Sequence, residues 1–546
     1  MLGKHHSLWT VLFIFLLAAC APVPPPVTPT SLESPSLPMP EPSPTPESTT
    51  RYGGTLVAAV SSDPSHLNPG ITTGFGVHAV ADSMFNGLVG LDANANPVPD
   101  LAERWEVSDD GRTYTFHLHP NVQWHDGTSL TSQDVKFTFE KVLLKYHSRT
   151  KAGLESVLEA IEAPDEYTVA FHFKAPYAPL LQRLNVTEAP ILPKHVYEGT
   201  DPQQAEANLR PIGTGPFKFA SHIPGEEVRV VRNENYFKEG LPYLDEVVFR
   251  VIPDQSTQLA ALEQGEIDYM WRIPGPDIER LEADRDIALA QVASGPGGGF
   301  CVMTLTLNLE RPVLQDLRVR QAFAHAINRK QLLERVQFGQ GRVATSPISS
   351  AIAWAHIDPE PTYEHNPEKA EELLDAAGLP RGDDGTRFTV DIVQFPVFNR
   401  WSEVMRENLA EAGVVLEIRP LERSAAVETI FTKRDFDTNL ISYCNNTDPE
   451  IGVRRMYVSD NIGPIPFSNG ATYANPRIDE LFSRAAATAD RDERAKVYAE
   501  IQRILKADLP YLWLVETDFT FGHRVNCHDF QAWSGHFAET AWCEEQ

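Results

Sequence analysis

An α/β protein of more than one domain is predicted from three observations. From residue 52 onward, runs with the two-residue period of strands alternate with runs of helical period, and no internal repeat occurs. Residues 388–421 read as strand, helix, strand, the unit that builds parallel sheet. The chain has 546 residues. At roughly 150 residues per domain that is too much for one core, and about two to four domains are implied.

The chain carries 47 lysines and arginines against 75 aspartates and glutamates, a net charge of −28. That balance argues against partners recognised through their phosphates, so nucleic acid is not expected as a ligand. No stretch of about 18 apolar residues, the length that crosses a bilayer as a helix, is present.

Residues 1–20, MLGKHHSLWTVLFIFLLAAC, begin with the basic Lys4, continue with an apolar run over 8–19 and end in small residues before Cys20. The run is short for a membrane span and has the length of a secretory core. Leu17-Ala18-Ala19-Cys20 resembles the lipobox of bacterial lipoproteins, which implies removal of residues 1–19 and diacylation of Cys20. An ordinary secretory peptide with a chance cysteine is the alternative. Residues 20–51 then read as a tether. Eleven of the 43 prolines fall within 21–50, with scarcely a large apolar side chain. Such a segment cannot offset its ordering entropy by burial and forms a stiff spacer.

In the body, TYTFHLHP (113–120) places Tyr114, Phe116 and Leu118 on one strand face and His117 and His119 on the other. Thr131-Ser132-Gln133-Asp134 has the form of a capping box, opening a helix with Val135, Phe139 and Val142 on one side. Asn366-Pro367 supplies an N-cap and a first-turn proline, Leu373 and Leu374 an apolar stripe, and Gly378 with Pro380 a stop. A strand is expected over 388–395, a helix over 400–413 ended by Gly413, and a strand over 414–421. Another, over 436–443, runs into Cys444-Asn445-Asn446-Thr447-Asp448-Pro449. In open α/β sheets ligands gather at the carboxyl ends of strands, which singles out 395–401 and 443–448.

Cys301, Cys444, Cys527 and Cys543 belong to the exported body, where an even number suggests disulfides. Three pairings are open; a bridge over the short 527–543 interval would staple the tail and leave 301 with 444. A metal centre of His523, Cys527, His528 and Cys543 lacks a C-x-x-C pair, and His117 and His119, with His125 nearby, read as a half-exposed strand face. No metal and no cofactor are expected. GxxxxGK[ST], HExxH and GxSxG are absent, and the GxGxxA at 74–79 lies in a loop with no strand before it, so no enzyme is expected.

Five blocks occur in order: LAERWEVSDDGRTYTFHLHPNVQWHDGTSLTSQDVKFTFEK (101–141), RPIGTGPFKF (210–219), LDEVVFRVIPDQSTQLAALEQGEIDYM (244–270), LQDLRVRQAFAHAINR (314–329) and NPRIDELFSRAAATADRDERAKVYAEIQRIL (475–505). Together they resemble family 5 extracellular solute-binding proteins, the oligopeptide and dipeptide receptors of ABC importers, across essentially 52–522. The resemblance implies a two-lobed, periplasmic-binding-protein-like α/β fold of the large peptide-binding type that closes about a hinge. It implies a discontinuous first lobe: residues 52–297, with a subdomain inserted at roughly 80–215, and a return of 523–546. The second lobe would span 298–522. The glycine-rich GPGGGF (295–300) fits a crossing between lobes. Cys301 and Cys444 are similar to a cysteine pair that some oligopeptide receptors join across the second lobe.

In the peptide-binding members an aspartate just after the strand equivalent to 436–443 pairs with the ligand's α-amino group. Here Asn445 or Asn446 stands there, with Asp448 the nearest acid. An amide accepts a hydrogen bond but brings no charge. Arg400 stands where dipeptide receptors place a carboxylate-binding arginine. Trp354 and Trp401 are candidates to stack on a ligand, as are Phe75, Phe395 and Tyr443. The function expected from the resemblance is capture of a peptide-like solute by a monomer. That monomer is held to the cell membrane by its lipid, faces the periplasm or cell exterior, and delivers to importer permease subunits. An oligosaccharide receptor of the same family is the alternative, favoured by the two asparagines and nearby tryptophans. A nickel or haem chelate is a third, without a histidine cluster to hold it. Fatty-acid labelling of the expressed chain, abolished in Cys20→Ser, is the expected outcome; an unlabelled native chain rules out the lipobox reading.

Overall fold

The computed structural model describes residues 51–292, 300–531 and 535–544. The segment expected to be an export signal, Cys20, nearly all of the expected tether and residues 295–299 of the glycine-rich stretch lie outside the described residues. Three larger sheets organise the rest. The first has seven strands, in the order Ile287–Val292, Phe519–Arg524, Tyr269–Met270, Thr55–Val60, Glu246–Val251, Glu227–Arg232, Phe217–Ile223. Thr55–Val60 runs parallel to Glu246–Val251 in its middle. The two-residue strand period explains why this sheet has a core on each side. Leu56, Ala58 and Val60 enter one apolar cluster, and Ala59 enters another beneath the helix Gln255–Glu263.

A four-stranded antiparallel sheet, Ala102–Val107, Thr113–Leu118, Thr168–Phe173, Leu158–Asp165, has a core of its own drawn from residues between Leu88 and Ile191. Tyr114, Phe116 and Leu118 face that core, as the alternation requires. The helix that closes it starts at a full capping box: the Thr131 amide donates to Asp134 Oδ2 at 2.8 Å. Asp134 Oδ1 meanwhile accepts the Lys194 amide at 2.8 Å and so ties the helix to the following segment. His117 and His119 lie 3.5 Å and 3.8 Å from Glu106 and Glu103. Among the described residues no group of three or more histidines, cysteines or acids is placed to hold a metal ion.

The second lobe is built on six strands: Gly341–Val343, Tyr511–Thr517, Cys301–Leu307, Thr438–Cys444, Phe388–Gln394, Val414–Pro420. Cys301–Leu307 is buried along its whole length, as befits a strand covered on both faces. Phe388–Gln394, the helix Asn399–Glu411 and Val414–Pro420 form a parallel βαβ unit, with Gly413 at φ 79° making the turn into the last strand. Asn366 caps the helix Pro367–Ala376 by accepting the Lys369 amide.

One boundary differs from the sequence reading. Phe519–Arg524 pairs with Ile287–Val292 and Tyr269–Met270 and so belongs to the first sheet, which ends the second lobe at Asp518 rather than at 522. Strand periodicity runs through 511–524 without a break, and only the pairing partners reveal the change of sheet. Cys301 is bonded to Cys444, and Cys527 to Cys543. Cys301 and Cys444 also face each other in the antiparallel register. Replacing Cys301 and Cys444 together by serine is expected to lower stability by about 2–5 kcal/mol, read as a fall in the urea midpoint. Alkylation of the folded native chain is expected to label none of the four thiols; modified Cys301 would contradict the bond.

Candidate ligand-binding cleft

The strand Thr438–Cys444 ends at the disulfide, and the chain then turns over the carboxyl end of the sheet. Asn445 is held on both sides: its amide donates to the Phe300 carbonyl at 3.2 Å, and its Oδ1 accepts the Ser349 amide at 2.6 Å. Asn446 adopts φ 54°, a left-handed conformation that asparagine tolerates better than most residues. Asp448 caps the short helix Pro449–Gly452, accepting the Glu450 amide at 2.9 Å. Gly452 lies so close to the loop that a Cβ there would stand 2.3 Å from the Cys444 carbonyl oxygen. Gly452 therefore packs directly on the backbone of Cys444 and Asn445.

Asp448 has no exposed surface, and its carboxylate is gripped by Arg494 from the helix Arg491–Asp508: Nη1 to Oδ2 at 2.7 Å and Nη2 to Oδ1 at 2.8 Å. Arg494 Nε donates to the Ala485 carbonyl and Nη2 also to the Tyr498 hydroxyl. Trp354 packs edge-on to Tyr498, with the Arg491 and Arg494 guanidiniums 5.0 Å and 5.1 Å from its ring centre. This cluster meets the first lobe. Arg491 Nη1 donates to Asn96 Oδ1 at 3.1 Å, and the helix Pro476–Ala487 touches the turn Ala178–Arg183 of the four-stranded subdomain.

Across from it the subdomain presents its own charged groups. Arg149 Nε lies 2.7 Å from Glu188 Oε1, and Arg183 Nε donates to the Tyr177 hydroxyl at 2.9 Å. His78 lies 2.7 Å from Asp82 Oδ1 through Nδ1 and 3.0 Å from the Thr72 carbonyl through Nε2. Both partners are acceptors, so the ring carries both protons. Asp82 Oδ2 in turn accepts the Thr187 hydroxyl, next to Glu188. The facing pair in the second lobe is Glu450 Oε1 with Arg454 Nε at 3.0 Å. Burial pushes the Glu450 carboxyl up to about 8, with Arg454 pulling the other way and Asp448 adding to the rise.

The sequence-predicted residues divide three ways. Trp354, Asn445, Asn446 and Asp448 come together at this place. Phe75, Phe395 and Arg400 lie elsewhere along the lobes: Phe75 is 44% exposed and edge-on to Trp271, Phe395 packs on Phe398, and the Arg400 guanidinium lies 4.9 Å from the ring centre of Phe338, which abuts Gly275 of the first lobe. Trp401 and Tyr443 belong to the second-lobe core. Trp401 sits on the helix face shared with Met405 and Leu409, which corrects its reading as a stacking surface. Tyr443 is covered by the Arg455 guanidinium at 5.9 Å from its ring centre. Asp448 is corrected too, since it is fully buried and both its oxygens accept from Arg494. Asn445 spends its carbonyl on Ser349, and Asn446 serves the backbone turn. Arg149, Arg183, Glu188 and Arg455 carried no sequence signal, being ordinary charged residues on two separate segments.

A model of the bacterial extracellular solute-binding proteins of family 5 matches residues 96–464, more than half the chain and most of both lobes. A di/tripeptide-binding protein of Pseudomonas aeruginosa is 28% identical over 505 residues, covering 88% of this chain and 92% of that protein. The oligopeptide-binding protein AppA of Bacillus subtilis is 29% identical over 488 residues, covering 85% and 86%. Among solved structures, the periplasmic binding protein DppA of Helicobacter pylori in complex with the peptide STSA superposes with a TM-score of 0.76 at 26% identity, over 91% of this chain and 99% of that one.

Two outcomes are expected of this geometry. Asp448→Asn breaks a fully buried ion pair and is expected to cost about 3–5 kcal/mol of stability in denaturant titration. Glu450 holds a proton in the folded chain up to about pH 8, which the unfolded chain releases near its ordinary value of 4.5. Its contribution to stability is present below that ordinary value and falls as pH rises across the window to about 8. Glu450→Gln should flatten that slope and stabilise the chain most on the alkaline side; an unchanged slope would refute the assignment.

Proposed function

The chain belongs to the bacterial extracellular solute-binding proteins of family 5, and from that premise we propose how it works: as the receptor subunit of an ABC importer, it captures a peptide-like solute between its lobes and delivers it to the permease. The observation that carries the reading is the family match across the segments that line the cleft, together with relatives named for di-, tri- and oligopeptides. Those relatives favour the peptide solute over the oligosaccharide alternative.

The chain leaves the first-lobe sheet after Val292, enters the second-lobe sheet at Cys301, and returns through the single residue Asp518, the second connection. Rotation of one lobe against the other opens and closes the cleft, and occupancy biases it toward closure because only the closed form contacts the solute from both sides. Arg342 ties to the second connection through Asp518 Oδ2 at 2.9 Å. Gln340 Oε1 accepts from Gln291 Nε2 and Thr520 Oγ1, both first-lobe groups. No catalytic step is required. The lipid on Cys20 and the proline-rich tether hold the body at the outer face of the cell membrane.

With a saturating peptide at about 100 times its Kd, the purified chain is expected to gain about 2.7 kcal/mol of stability by mass action. A fall in the radius of gyration, measured by small-angle X-ray scattering, should accompany it. A panel of di- to pentapeptides and oligosaccharides decides the solute class; stabilisation by glycosides alone would retire the peptide reading.

A further inference from the structure

The two walls of the cleft carry an excess of positive charge on a chain whose net charge is −28. Three carboxylates are present there, and each already has an arginine of its own: Glu188 has Arg149, Asp448 has Arg494 and Glu450 has Arg454. Apart from Arg491, which donates to Asn96 Oδ1, two guanidiniums remain without a carboxylate at ion-pair distance among the described residues. Arg183, 5% exposed, lies within electrostatic reach of Glu188 and Glu450 but bonds only the Tyr177 hydroxyl and the Arg149 carbonyl. Arg455 gives Nε to the Gly452 carbonyl at 3.1 Å, and among the described residues neither terminal nitrogen has a hydrogen-bond partner. It belongs to the same cluster, since it stands beside Arg454, the partner of Glu450, on the turn Arg454–Met456; Arg149 and Glu188 act on its charge from the opposite lobe.

Desolvating a cation without a counter-ion costs several kcal/mol. A receptor that brings two such cations together when it closes needs negative charge from elsewhere, and the solute is what enters between the walls. A guanidinium suits a carboxylate through two parallel hydrogen bonds. The same walls offer an ammonium little. Asp448 is fully occupied by Arg494, and Asn445 is neutral with its oxygen spent on Ser349.

Building on the reading as a receptor for a peptide-like solute, we propose that the solute is anionic. It carries at least two carboxylates, which Arg455 and Arg183 bind from opposite lobes, and it needs no free α-amino group. Arg455 and Arg183 are thereby specificity-determining residues.

Isothermal titration calorimetry on the purified full-length chain tests this with five probes: Glu-Glu-Glu, its N-acetyl form, Gln-Gln-Gln amide, Ala-Ala-Ala and propane-1,2,3-tricarboxylate. Glu-Glu-Glu and its N-acetyl form are expected to bind within about threefold of each other, and the two neutral-side-chain peptides at least about tenfold more weakly. Arg455→Gln is expected to weaken Glu-Glu-Glu by about 10–100-fold without lowering the melting temperature, and Arg455→Lys to recover part of the loss. Loss of binding on acetylation overturns the proposal, as does neutral-peptide binding equal to that of Glu-Glu-Glu, or no response to any anionic probe. Binding of propane-1,2,3-tricarboxylate but of no peptide sustains the anionic site and removes the peptide reading. Binding of Ala-Ala-Ala alone does the reverse.

Discussion

A carboxylate shut away from water stays charged only beside a cation, and Asp448 meets that condition through both terminal nitrogens of Arg494. Much of the cleft hangs on this pair. Asp448 opens the short helix whose next residues place Glu450, Arg454 and Arg455, so fixing one carboxylate sets three further charges. Arg494 brings with it a long helix and the face of Trp354. The disulfide and the close approach of Gly452 act on the same loop from the other side. The loop is thus clamped between a covalent bond and a buried ion pair, with little freedom to follow a ligand. Adaptation to a solute falls to rotation of the lobes.

How the two lobes were legible in the sequence follows from the range of the forces involved. The capping box at Thr131, the N-cap at Asn366 and the turn at Gly413 are local, and each is visible within four residues. The βαβ unit follows from the same local signals. Pairing is not local: strand period runs unbroken from Tyr511 to Arg524, yet the partners change at Asp518. Trp401 shows the same limit within a helix. Its sequence position near a strand end suggested a cleft, while the turn of the helix sends it into the core beside Met405.

The charged walls were the least legible part. Arg149 and Glu188 come from the four-stranded subdomain and Glu450 to Arg455 from the far lobe, some three hundred residues apart. Nothing in either segment marks it as half of a site. Overall composition is uninformative here as well, since a strongly acidic chain presents a locally basic interior. What the sequence did show was a departure from its family resemblance: asparagine at 445 and 446, where that resemblance implies an acid. That neutral pair acquires meaning only beside the occupied Asp448 and the arginines without an ion-pair partner.

Residue 51 and residue 544 both sit on the first lobe. Arg51 lies over the Trp542 ring, Tyr52 donates to the Gly240 carbonyl, and Glu544 bonds back to Asn526. The second lobe is an excursion between Val292 and Phe519. A tensile load applied between the two ends of the body therefore runs through the seven-stranded sheet and bypasses the six-stranded one. Mechanically the second lobe is a passenger: a pull on the ends of the body is borne by the first.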